Sequence, residues 1–164
     1  MAAGTHQEAV EAILAAARAQ HALLLGQVSP GLQASLPVDA TGITHAIARI
    51  AEATGRGDEV AAELAARHRA NPAVLHGRVF GRAPLSTGTV LAAFVEGARV
   101  RADVLLELAE AAGGTELGEE VRALLVAAPP PVDAGVPGAA DALRATYAAQ
   151  ERAAVRIAAA LDAR

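Results

Sequence analysis

The chain has no cysteine, no lysine and no tryptophan, and its aromatic residues are one tyrosine and two phenylalanines. The missing cysteines exclude disulfides, thiol nucleophiles and zinc–thiolate centres. The missing lysine excludes a Walker-type phosphate loop, which requires one. Scarce aromatics weigh against single-strand nucleic-acid binding, where bases stack on aromatic faces. All 14 basic residues are therefore arginines, set against 18 acids, and the net charge of −4 offers no general attraction to nucleic acid. No uncharged apolar run approaches the ~18 residues of a membrane span. The opening MAAGTHQEAV has neither the basic nor the apolar region of a secretory signal. The expectation is a cytoplasmic protein with no membrane partner, no nucleic-acid partner and no cofactor. Arginine in place of lysine, together with abundant alanine, reads as the coding bias of a GC-rich, bacterial genome.

What is present is aliphatic: hydrophobic residues make up 53% of 164 residues. That length suits one domain, able to bury roughly two-thirds of its unfolded surface without metal or disulfide. Apolar residues recur every three to four positions, and no strand-like alternation competes. The expectation is an all-α helical bundle of about six helices in a single domain over 1–164. The first spans about 5–27, with Thr5 and Glu8 at capping-box spacing and Val10, Ile13, Leu14, Ala17, His21, Leu24 and Leu25 on one stripe. After a surface loop over 29–40, helices follow at about 41–54 and 58–69, separated by Gly55-Arg56-Gly57, with Asp58 as the cap. Residues 71–86 are the least regular, with a short helical turn at 73–79. A fourth helix covers about 86–112 and Gly113-Gly114 ends it. Thr115 caps a fifth to about 127, a Pro-rich connector fills 127–138, and the last helix runs 139–162. Four long elements form the core: the first helix, the 41–69 pair, the fourth and the last.

Candidate sites are few. His21 lies in the first apolar stripe and His68 at the edge of another inward face. Meeting inside the bundle, they would hold a metal with a carboxylate; the competing reading is a pair of satisfied core histidines. Ferritin-type di-iron chemistry does not fit, because the chain has no Glu-x-x-His motif. Between Arg67 and Arg82 no acid occurs, while Arg67, His68, Arg69, His76, Arg78 and Arg82 do. This segment leads into Ser86 and Thr87 at a helix N-terminus, where free amides and a partial positive charge favour anions. Arg78, Arg82, Ser86 and Thr87 are the candidates for a phosphate- or carboxylate-bearing ligand, with His68 or His76 as acid–base group. The competing reading is a basic face paired with acidic stripes elsewhere in the bundle. Tyr147 and Gln150, on the seam of the last helix, and the pair His76–Ser86 complete the possible catalytic groups.

Three functional readings follow. The first is a non-enzymatic module that self-associates, as a homo-oligomer, or binds a partner protein. Its motivation is apolar surface in excess of one stripe per helix, at Val90, Val100, Val104 and Leu106 and on the first and last helices. The second is a small-molecule binding protein or enzyme using 67–89. The third is a metal-binding bundle using His21 and His68.

Overall fold

A computed structural model describes residues 40–132 and 136–164, together with Glu8, Glu11, Leu14, Ala15, Arg18, Ala19, Ala22 and Gly26. Five helices order the described residues, rather than about six: α1 (Thr41–Ala53), α2 (Gly57–Arg69), α3 (Pro72–Phe80), α4 (Thr87–Val126) and α5 (Val136–Asp162). The isolated described residues between Glu8 and Gly26 are helical too, and Leu14 among them is buried as its stripe requires. The remainder of the expected 5–27 helix, including His21, and the loop over 29–39 lie outside the described residues. No described residue is in a strand. No helix among the described residues is long and apolar enough to cross a membrane.

α1 buries Ile43, Ile47, Ile50 and Ala51, the stripe that 3.6-residue periodicity demands. Gly55, at φ 73, ends the turn after it. α2 then starts two residues earlier than the Asp58 cap implied. Arg56 occupies the N-cap position without a side-chain cap, and Asp58 sits in the first turn, where its charge suits the helix dipole.

The 71–86 segment is more regular than expected. Asn71 ends α2 and starts α3: its side chain accepts a hydrogen bond from Ala73 N at 3.0 Å, and Pro72 occupies the first helical position. Proline there loses nothing, because that amide has no intrahelical partner.

α4 absorbs what read as two helices, and Gly114 marks the break, with φ 69 and ψ −162. The break is a sharp turn. Eight residues of straight helix span about 12 Å, yet a Cβ placed on Gly118 would lie 2.7 Å from Glu110 Cγ. Arg122 pairs with Glu110 across the same turn at 3.6 Å. The chain comes back along α4, and the connector delivers it to the helix start, where Pro131, Val132 and Ala139 share a groove with Gly88, Leu91 and Ala92. α5 therefore starts beside the first turns of α4 and meets Ala98 further along.

α4 is the hub of the bundle, packed by α1, α2, α3 and α5. This corrects the expectation of surplus surface on it. Val90, Val100 and Val104 are buried, and Leu106 packs against the core. A helix apolar on all sides is a central helix, and here its neighbours lie within the same chain. On α5 the expected seam of Leu143, Tyr147, Gln150, Ala154, Ile157 and Leu161 is buried up to Ile157, and Leu161 packs half-buried against the core.

Candidate functional site

Two polar locks set α3 and α5 on α4. Asn71, besides capping α3, donates from Nδ2 to Ala93 O at 3.1 Å. Gln150 is fully buried; its Nε2 donates to Ala98 O at 2.7 Å and its Oε1 accepts from Arg101 Nε at 3.1 Å. The Arg101 guanidinium lies 4.7 Å from the centre of the Tyr147 ring, a cation–π contact at a half-buried position. Tyr147 and Gln150 are thus occupied in packing.

With its N-terminus fixed by Asn71, α3 buries only Ala73. Its far end projects apolar side chains: Leu75 is 45% exposed, Val79 72% and Phe80 62%. Leu75 and Val79 stand one helical turn apart, and His76 tilts against Phe80 with ring centres 5.0 Å apart. Arg78 is exposed in the last turn of α3 and Arg82 follows Gly81. Neither makes an ion pair or hydrogen bond among the described residues.

The basic segment divides. Arg67 reaches back onto α4, pairing with Asp103 at 2.6 Å and Glu96 at 3.7 Å; this is the paired basic face expected as the plainer alternative. Ser86 caps α4, its hydroxyl accepting from Thr89 N at 3.1 Å and lying 2.9 Å from Thr89 Oγ1. That engages the hydroxyl locally, away from His76. Thr87 is exposed in the first turn. Arg78, Arg82, Ser86 and Thr87 are each exposed, Arg78 on α3, Arg82 in the link after it, and Ser86 and Thr87 at the start of α4.

His68 ends α2 half-buried, and that burial holds its imidazole below the ordinary histidine value of 6.5. Whether it meets His21 falls outside the described residues. Among the described residues no three His, Asp or Glu side chains are grouped to hold a metal. His45 accepts a hydrogen bond from Arg18 at 2.9 Å.

A wide apolar groove lies elsewhere, between α1 and α5. It has a volume of about 580 Å³. Its walls are Ile43, Ala46, Ile50 and Ala53 from α1 and Ala154, Val155, Ala158 and Leu161 from α5, with Arg49, Glu151 and Asp162 at the polar margin. A smaller groove of about 370 Å³ runs between Pro72, the first turns of α4 and Pro131-Val132. Neither is lined by Arg78, Arg82, Ser86 or Thr87.

Sequence reasoning located the cations of α3 but not the apolar residues between them. The signal was legible: Asn then Pro announces a helix start, and Leu75, Val79 and Phe80 then fall beside one another. Fold and surface together define an all-helical bundle with an apolar, cationic projection and a separate apolar groove. Compared with known protein families, with curated proteins and with solved structures, the chain matches none.

Proposed function

We propose that this protein is a non-enzymatic helical module that associates with further copies of itself, docking through the exposed end of α3. The observation that carries the reading is the trio Leu75, Val79 and Phe80, which the fold leaves in solvent beside two arginines that have no ion-pair partner among the described residues. An exposed apolar cluster rimmed by charge is the usual composition of an interaction surface. Most of the core-forming sequence is covered inside the chain, so this projection stands out against a well-packed background. Sedimentation equilibrium at tens of micromolar tests the reading. The expected mass exceeds the 16.5 kDa of one chain, and the Val79→Ser/Phe80→Ser variant is expected at one chain. A monomeric wild type would refute it.

The competing use of the same arginines is an anion site formed by Arg78, Arg82, Ser86 and Thr87, favoured by the absence of a partner for the two guanidinium groups among the described residues. Inorganic phosphate at millimolar concentration separates the two. A rise in melting temperature that disappears in Arg78→Ala/Arg82→Ala supports the anion site, and no rise supports docking.

A further inference from the structure

We infer that the groove between α1 and α5 is the receptor for the α3 projection of a second copy, so that the chains join head to tail. The inference rests on the proposed self-association and adds the identity of the receiving surface. The projection offers apolar Leu75, Val79 and Phe80 and positive Arg78 and Arg82. The groove offers apolar walls from Ile43, Ala46, Ala154 and Ala158, with Glu151 and Asp162 at its margin against Arg49, the one cation among its described lining residues. Like Arg78 and Arg82, the two acids make no ion pair among the described residues. Each surface thus lacks what the other carries. Its volume of about 580 Å³ exceeds what three apolar side chains of this size fill. Val155, at the groove lip, is 70% exposed, matching the exposure of the projection.

The two surfaces belong to different parts of the bundle. α3 is held on α4 by Asn71 and packs on α2 and α4, whereas the groove is built by α1 and α5. One chain displays both at once. Such a contact is heterologous: unlike patches meet, and repetition gives a closed ring or an open chain of subunits. A twofold contact between identical patches would behave differently on mixing.

Mixing therefore provides the test. The projection is disabled by Val79→Ser/Phe80→Ser, both exposed. The groove is disabled by Ala53→Arg/Asp162→Arg. These are exposed residues ending α1 and α5, where an added cation suits the helix dipole and leaves the fold intact. Far-ultraviolet spectra verify that both variants fold. Each variant alone is expected at one chain mass, because each lacks one half of the contact. An equimolar mixture of the two is expected to sediment at twice that mass, since one intact projection then meets one intact groove. A mixture that stays monomeric overturns the inference. So does a groove variant that assembles like wild type while the projection variant does not; in that outcome self-association stands and only the receptor is wrong. A monomeric wild type removes both.

Discussion

Gln150 carries more of the fold than its type suggests. It sits fully buried between α4 and α5 and satisfies both the Ala98 carbonyl and the Arg101 Nε. Replacing it with leucine of similar size keeps the volume but leaves Arg101 Nε without its acceptor and removes the second bond to the Ala98 carbonyl, and Arg101 Nη2 is already buried with no hydrogen-bond partner among the described residues. An unsatisfied buried polar group costs about 1–3 kcal/mol. Gln150→Leu is expected to lose at least that much stability in urea denaturation, whereas an unchanged midpoint would show that the helices repack around the loss. Asn71 acts in a more local way. Asn71→Ala removes a cap worth about 1 kcal/mol and the bond to Ala93 O. Hydrogen exchange should then speed up through 72–80 while the amides of α5 keep their protection; uniform acceleration would count against a local role. Reading residues in isolation captured Gln150 as a seam position but not its partners, because Ala98 and Arg101 lie some fifty residues away and no spacing rule links them.

At the scale of elements, Gly113 and Gly114 decide where α4 turns, and for different reasons. Gly114 holds φ 69 with ψ −162, a region open essentially to glycine alone, where strain costs about 1–3 kcal/mol. Gly113 has ordinary space requirements except that a Cβ there would lie 2.6 Å from Leu117 Cβ, and Leu117 is buried. Gly113→Ala and Gly114→Ala are each expected to destabilise by about 1–3 kcal/mol. Gly42→Ala, in α1 with nothing within 4 Å of its Cβ, should gain about 0.5–1 kcal/mol from the helical preference of alanine. Thermal melts of the three variants check the order, and equal effects would sink the assignment. These elements also show what patterning can and cannot reveal. The stripes of α1, α2 and α5 were readable because each has one buried face. α4 was misjudged because Val90, Val100 and Val104 depart from a single stripe, and periodicity cannot say which neighbour covers the second face. α3 was underestimated because its nine residues carry only about two and a half turns of pattern. The groove between α1 and α5 was invisible, since a concavity belongs to two helices distant in sequence and to neither alone.

The molecule as a whole balances a few displaced titrations whose signs oppose. Burial depresses the imidazole of His68 below 6.5, so the folded state prefers it neutral. In the unfolded chain the ring takes a proton first as acid is added. The stability it contributes is therefore present above pH 6.5 and is lost as pH falls through the lowered folded value. Glu107 behaves in the opposite sense. Its partial burial, followed by the repulsion of Glu63, raises its carboxyl above 4.5. Its contribution is present below pH 4.5 and disappears as pH rises through the raised folded value. The two windows open from pH 6.5 downward and from pH 4.5 upward, and single substitutions separate them. His68→Gln should flatten the fall in melting temperature that begins as pH drops below 6.5. Glu107→Gln should raise the melting temperature at pH 7, where wild type carries an unfavourable charge facing Glu63, and lose that advantage at pH 4. Melting curves between pH 4 and pH 8 at fixed ionic strength measure both. A His68→Gln profile that keeps the wild-type slope below pH 6.5 would place the acid sensitivity elsewhere, and a Glu107→Gln advantage that persists at pH 4 would make its origin packing rather than charge.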